Sequence, residues 1–261
     1  MENSITFKKA KVTYFRYGTG KENLVLLHGF LENSSMWELV IEEFSARYNI
    51  ICVDLLGHGN SECVGYVHTM EDIAASVYEV LKAENINRAS FIGHSMGGYV
   101  ALALAEQYPD CVGALCLLNS TSQADAEERK QIRNRAIQMA KTNYSALVSM
   151  SIQNLFASET NKQFQKEIEE CKKQALATQI QGYIACSEGM KLRKNREVVL
   201  KEGSFEKLII TGEKDPVLAI DAIKSEANRT NTSIVTLSKG HMSHIENSKE
   251  LLSSLKDLYL N

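Results

Sequence analysis

The sequence predicts an α/β domain, with a mostly parallel central sheet carrying helices on both faces and one helical insertion. Two observations predict the sheet. Short apolar runs, as in strands buried on both faces, alternate with stretches whose apolar residues recur at helical spacing. Polar or glycine-bearing turns close most of those runs, marking strand ends. A third observation predicts the insertion. Between residues 121 and 203 the alternation stops, and a segment rich in charge, Gln and Asn shows helical periodicity without a central-strand run.

In chain order, 4–8 and 11–17 alternate loosely between apolar and polar, as two antiparallel strands would. Asn23-Leu24-Val25-Leu26-Leu27 is a continuous apolar run ending at His28-Gly29-Phe30. Ser34 or Ser35 is expected to cap a helix carrying Met36, Trp37, Val40, Ile41 and Phe44 on one face. Asn49–Val53 is the next buried strand, closed by Asp54-Leu55-Leu56-Gly57-His58-Gly59-Asn60-Ser61. Thr69 should cap a helix with Ile73, Val77, Val80 and Leu81 inward. The strand Ala89–Ile92, a helix from about Gly98 to Tyr108-Pro109 and the strand Val112–Leu118 follow. In 121–203 the apolar positions Ile132, Ala136, Met139, Ala140, Leu147, Met150, Leu155, Phe164, Ile168, Leu176 and Ile180 suggest three or four amphipathic helices. The strand Lys207–Thr211, a helix opened by Pro216, the strand Ser233–Leu237 and a helix over Glu246–Tyr259 complete the chain. Residues 1–120 and 204–261 thus form the core. Residues 121–203 form a lid over the carboxyl ends of the strands, where open α/β sheets bind ligands; the alternative is a helical subdomain with no gating role. Asn119–Thr121 and Gly203 are hinge candidates by composition.

The 261 residues suffice for one large domain. A net charge of −3 gives no basic footprint, so nucleic acid is not an expected partner. No apolar run approaches the ~20 residues needed to span a bilayer. The first residues lack the apolar core of a secretion signal. The six cysteines form no Cys-x-x-Cys pair and are expected to be free thiols in a cytoplasmic protein.

Gly93-His94-Ser95-Met96-Gly97 lies between an apolar strand and a helix. A serine at a strained strand-to-helix turn needs small neighbours, and glycines stand at −2 and +2. A glycine-rich turn without chemistry is the alternative for the motif alone. Serine at neutral pH needs a base within hydrogen-bond reach, itself oriented by an acid. Of six histidines, His241 follows the last strand directly, after Gly240, and is favoured over His244, which lies nearer the closing helix. Asp215, after the penultimate strand, is the preferred acid, and it could also cap the helix that Pro216 opens. Asp54 precedes the serine in the chain. Asn119 is uncharged and stabilises an imidazolium less well.

The order Ser95, Asp215, His241 is that of the hydrolase fold. Together with His28-Gly29-Phe30, Asp54-x-x-Gly57-x-Gly59-x-Ser61, Gly93–Gly98, Gly212-x-x-Asp215 and Gly240-His241-x-x-x-x-Glu246, it makes the chain resemble the α/β-hydrolase superfamily over nearly its whole length. The resemblance implies an oxyanion hole from the backbone N–H groups of Phe30 and Met96. It gives His28 the task of fixing that turn, Asp54 and His58 structural tasks, and His94 a place beside the elbow; His68 has no assigned role. It implies no cofactor, and no Cys/His cluster suggests a metal site. Serine at the elbow separates the chain from dehalogenases and epoxide hydrolases, which carry aspartate there. Met96-Gly97-Gly98 is similar to small serine carboxylesterases, C–C bond hydrolases and a menaquinone-pathway synthase. Tyr99 stands where that synthase has an arginine for its acidic substrate. The Gly-Gly-Ser-Trp-Gly of proline iminopeptidases is absent. The expected activity is cleavage of a small-molecule carboxylic ester through an acyl-enzyme. C–C hydrolysis of a diketone-type substrate, or ligand sensing by a protein retaining the triad, are the alternatives. Phe30, Leu31, Tyr99, Met139, Leu155, Phe156 and Tyr183 are the expected pocket residues, with core packing as the alternative for each.

Overall fold

In the computed structural model, which describes residues 1–259, every predicted run becomes a strand of one eight-stranded sheet. The strands are β1 (Glu2–Phe7), β2 (Ala10–Tyr17), β3 (Glu22–Leu27), β4 (Tyr48–Val53), β5 (Ala89–His94), β6 (Val112–Leu118), β7 (Glu206–Gly212) and β8 (Ser233–Leu237). Their order is β1-β2-β4-β3-β5-β6-β7-β8. β1 and β2 are antiparallel to their neighbours, and all other pairs are parallel.

The pleat sends alternate side chains to opposite faces. Val25, Leu27, Ile51, Val53, Phe91, Leu115, Leu117 and Ile209 pack with α2 (Met70–Ala83), α3 (Met96–Gln107) and α8 (Ile220–Thr230). Leu24, Leu26, Ile50, Cys52, Ile92, Cys116, Leu118 and Ile210 pack with α1 (Glu38–Phe44) and α10 (Ser248–Tyr259). Buried on both faces, these strands had to be continuously apolar to fold at all. All six cysteines are free.

β3 lies between β4 and β5, so successive connections leave it in opposite directions. A crevice opens at the carboxyl ends of strands where the winding reverses in this way. The turn after β3 is His28-Gly29-Phe30, and the turn after β5 is Ser95. Topology alone therefore brings the two turns together.

Between β6 and β7 run four helices, α4 (Glu127–Gln153), α5 (Gln165–Leu176), α6 (Ile180–Leu192) and α7 (Glu197–Glu202). Leu31, Leu147, Val148, Ile152, Phe156, Ile168, Ala175, Tyr183 and Met242 form a separate apolar cluster there. The predicted stripe is only partly the buried one: Ile132, Met150, Leu176 and Ile180 are exposed, while Ile137, Val148 and Ile152 are buried. Within α4 the cause is Asn143, whose non-helical backbone (φ −150°, ψ 70°) breaks the helix. Its Oδ1 accepts from the Ala146 N–H at 3.3 Å, the arrangement of an N-cap, so a new helix with a new phase starts there.

Three other expectations change. Asn33, not Ser34 or Ser35, caps the turn before α1, its side chain accepting from the Ser35 N–H. Pro216 opens no helix, and α8 begins at Ile220, because Asp215 Oδ1 accepts from the N–H groups of Val217 and Leu218 and holds a bend instead. The closing helix α10 begins two residues later than expected, at Ser248, with Asn247 separating it from the short α9 (Ser243–Glu246). Thr69 caps α2 as expected, accepting from the Asp72 N–H at 3.0 Å. Thr121 and Ser122 are hydrogen-bonded to the buried Glu226 carboxylate, which anchors the stretch that composition marks as a hinge. No described helix is long and apolar enough to cross a membrane.

Candidate active site

Ser95 takes a left-handed backbone conformation (φ 48°, ψ −112°) between β5 and α3. Such strain, of order 1–3 kcal/mol, persists only where the surroundings enforce it. Three contacts do so. The Ser95 N–H donates to Leu118 O at 2.9 Å, Ser95 O accepts from Gly98 N, and Ser120 Oγ donates to Ser95 O at 2.7 Å. The flanking glycines are required by space: a Cβ on Gly97 would lie 2.1 Å from Leu27 O, and one on Gly93 would lie 2.5 Å from the Gly97 backbone.

The loops after β7 and β8 bring the expected partners to Ser95. His241 Nε2 lies 3.0 Å from Ser95 Oγ, and His241 Nδ1 lies 2.7 Å from Asp215 Oδ2. All three side chains thus form one hydrogen-bonded chain. Burial alone would raise the Asp215 carboxyl. His241, the Asn119 amide and the Val217 N–H outweigh it and hold the group below the ordinary carboxylate range. Asn119, weighed above as a rival acid, instead supports Asp215, donating from Nδ2 at 3.0 Å. His244 turns away: its Nε2 is 3.9 Å from Glu32 Oε1, and burial lowers it to about 4.

The turn after β3 is set by His28, whose Nδ1 bonds Gly29 O at 2.7 Å while Nε2 accepts from the Leu55 N–H at 2.9 Å. The Gly29 N–H is taken by Glu32 Oε2. The Phe30 N–H has no hydrogen-bond partner among the described residues. Met96 is the first residue of α3, so no preceding turn accepts from its N–H. Asp54 ties its own loop to the turn before α1, accepting from Ser34 N, Ser34 Oγ and Asn60 N.

Sequence reasoning missed Glu32. Its Oε2 accepts from the Gly29 N–H at 2.6 Å and from His94 Nδ1 at 2.7 Å. His94 Nε2 then reaches His241 O at 3.0 Å. Both His94 nitrogens face acceptors, the pattern of an imidazolium. Burial disfavours that charge, but the Glu32 carboxylate outweighs it and His94 is raised. Burial would likewise raise Glu32, yet the facing imidazoles, His94 first, hold it at about 2. One buried ion pair therefore ties together the β3 turn, the elbow and the His241 loop. Ligand atoms of Glu32, His94 and His244 come within 4.8 Å of one another, a proximity no sequence spacing revealed. The hydrogen bonds of His94 already commit both of its nitrogens.

Above Ser95 lies a small chamber of about 90 Å³, bounded by Phe30, Leu31, Tyr99, Leu155, Val217 and His241 among others. It adjoins a wider cleft of about 450 Å³ under α4, which Met139 and Tyr183 help to line. Of the expected pocket residues, Phe156 lines neither. Leu155 faces the cleft, and its neighbour turns the other way into the α4–α6 cluster, near Phe164. Arg129 and Arg133 line both spaces and were not anticipated.

The sequence pattern of the alpha/beta hydrolase fold matches residues 22–248, most of the chain and every loop just described. The chain belongs to the alpha/beta hydrolase fold family. Within this family it is 40% identical over 113 residues to a 2-hydroxy-6-oxononadienedioate/2-hydroxy-6-oxononatrienedioate hydrolase of Paraburkholderia phymatum, a match covering 41% of this chain and 39% of that one. It is 31% identical over 123 residues to an (E)-2-((N-methylformamido)methylene)succinate hydrolase of Acinetobacter baylyi, covering 47% and 46%. The chain spans less than half the length of the curated relatives it matches. Among solved structures, a thermophilic esterase from Thermogutta terrifontis superposes with a TM-score of 0.92 at 24% identity, covering 99% of this chain and 97% of that one. The enol-lactonase of Burkholderia xenovorans gives 0.91 at 21% identity, covering 99% and 100%. At these identities the likeness is one of alpha/beta hydrolase fold.

Proposed function

We propose that this hydrolase cleaves a small-molecule carboxylic ester through an acyl-enzyme on Ser95. The observation that carries the reading is the Ser95–His241–Asp215 chain, at 3.0 and 2.7 Å, set beside the N–H groups of Phe30 and Met96. Ser95 Oγ attacks the ester carbonyl as His241 Nε2 takes its proton. The carbonyl oxygen becomes an oxyanion that the two N–H groups stabilise; removing one such donor typically costs on the order of 3 kcal/mol in the transition state. Collapse breaks the C–O bond to the alcohol, which leaves with the proton held on His241. Water, deprotonated by the same histidine, then attacks the acyl carbon and releases the acid, returning the proton to Ser95. Asp215 keeps the imidazole oriented and favours its charged form. The helices α4 and α6, which line the chamber, act as a lid over the substrate.

Labelling with a fluorophosphonate tests the site. It should be lost in Ser95→Ala, weakened in His241→Ala and retained in His244→Ala. Turnover of 4-nitrophenyl esters tests the reaction, and no turnover of any ester by folded, labelled protein would remove it, leaving a ligand-sensing role. The identity to the P. phymatum dioate hydrolase favours one second reading, C–C cleavage of a vinylogous diketone by the same residues. Preference for such a ketone over esters would select it.

A further inference from the structure

Two guanidinium groups stand at the neck between the chamber over Ser95 and the cleft under α4. Phe30, Arg129, Arg133, Ser151, Leu155 and Val217 line both spaces, so whatever occupies the chamber and extends outward passes these arginines. Their charge is not balanced locally. Asp125 accepts from Arg133 Nε at 2.6 Å and from Arg193 Nη1 at 2.5 Å, one carboxylate between two cations. Arg129 has no ion-pair partner among the described residues. Glu32 is the one acid among the residues bounding chamber and cleft, and it is engaged by His94. Arg193 also stacks over the Tyr99 ring, 4.1 Å from its centroid, fixing the wall behind the arginines.

Arg129 and Arg133 are four residues apart on one helix, a spacing at which like charges repel. Burial and the Arg133 charge both press on the Arg129 guanidinium. An arrangement that holds two cations together against a half-buried cavity, with one unpaired, is complementary to an anion. Size narrows the choice. The chamber is small, about 90 Å³, and Arg129 and Arg133 bound it together with Ser95, so a group held by them lies only a short linker from the reacting carbonyl.

Resting on the reading of Ser95 as the nucleophile, we propose that the substrate carries a carboxylate a few bonds from the scissile carbonyl, bound by Arg129 and Arg133 at this neck. The natural ester is then a half-ester of a short dicarboxylic acid, or an ester with the carboxylate on its leaving group.

The test compares mono-4-nitrophenyl glutarate and 3-carboxy-4-nitrophenyl butyrate with the neutral 4-nitrophenyl butyrate. We expect kcat/KM to favour one of the two acids by at least about tenfold, as a charge-assisted pair supplies, and the favoured acid identifies which side carries the charge. Arg129→Gln should cut that preference about tenfold, mainly through KM. Lys130→Gln, an equal charge change on a residue that faces Glu127, should leave it intact. Calorimetry on Ser95→Ala with the same three esters reads binding without turnover, and the acid should bind more tightly than its neutral counterpart unless Arg129 is also replaced. Equal affinities there, or a preference that survives Arg129→Gln, would overturn the proposal while leaving labelling and neutral-ester turnover to stand. Loss of Ser95 labelling with carboxylate binding intact would overturn the catalytic reading instead.

Discussion

Replacing Glu32 by glutamine removes a charge and no heavy atom, so it asks what the buried ion pair does. Both hydrogen bonds of Glu32 fall on one oxygen, Oε2, which faces the Gly29 N–H at 2.6 Å and His94 Nδ1 at 2.7 Å. A glutamine cannot reproduce this with a charged imidazole at equal strength. If it presents its carbonyl, His94 loses the carboxylate that sustains its second proton. If it presents its amide, a donor meets the Gly29 N–H. Two routes give the magnitude. Breaking a buried ion pair by removing one partner costs roughly 3–5 kcal/mol. Linkage gives a similar figure: the carboxyl is held at about 2 rather than its ordinary 4.5, equivalent to about 3 kcal/mol.

The sign follows from each partner. Glu32 is depressed, so its contribution is full above the unfolded carboxylate value and lost as pH falls toward 2. His94 is raised, so its contribution is full below about 6.5, its unfolded value, and lost as pH rises through its folded one. Urea unfolding at pH 6 should show Glu32→Gln less stable by about 3 kcal/mol at unchanged m, with the parent's acid limb flattened. Because His94 also holds the His241 carbonyl, kcat should fall by up to ~10²-fold, the effect of a misplacement of about 1 Å, with little change in KM. A double-mutant cycle with His94→Gln should give a coupling of at least about 1.5 kcal/mol. Stability within about 0.5 kcal/mol of the parent, with kcat and the acid limb unaltered, would refute the ion-pair argument.

Gly97→Ala should destabilise by more than about 2 kcal/mol in urea and abolish turnover, because its Cβ meets Leu27 O at 2.1 Å; Gly113→Ala, whose Cβ meets nothing closer than 3.3 Å, should be near neutral. Asp215→Asn should keep the fold and lower kcat on the order of 10⁴-fold by favouring the wrong imidazole tautomer, read as steady-state ester hydrolysis. Glu246→Ala removes the carboxylate that accepts from Ala157 N at 3.0 Å and Thr160 Oγ1 at 2.5 Å, and limited proteolysis should then cut near residues 155–160 faster than in the parent.

What could be read from the sequence follows from where each constraint is stored. A parallel strand covered on both faces must be apolar along its length, so Leu24–Leu27 and Leu115–Leu118 declare themselves locally. The elbow is partly local, because Gly93 answers to the Gly97 and Gly98 backbone of its own turn, while Gly97 answers to Leu27 O of the adjacent strand β3. Periodicity failed at Asn143, since it assumes one helix axis, and an internal N-cap restarts the phase. Pro216 failed because Asp215 spends its capping oxygen on a bend that leaves the other oxygen for His241. Glu32 had no local signal at all. In sequence it is a charge in a turn beside Gly29, and only the meeting of that turn with the elbow gives it His94 as a partner.

The arginines make the same point about specificity. Position 99, just past the elbow glycines, carries a tyrosine, which sets the chain apart from the menaquinone-pathway synthase but does not speak against other acidic substrates. In the folded chain Tyr99 lines the chamber with Arg193 stacked upon it, and α4 brings Arg129 and Arg133 to the same space. The charge therefore reaches Ser95 from the segment between β6 and β7. The i,i+4 pair Arg129 and Arg133 runs onto Ala136 and Ala140 along that helix, so a basic extension of an inward face was its one trace in sequence. An elbow can report the nucleophile because its geometry is closed within a few residues. Charge complementarity belongs to a cavity that two separate segments enclose, and a substitution at the elbow cannot exclude a charge that the other segment delivers.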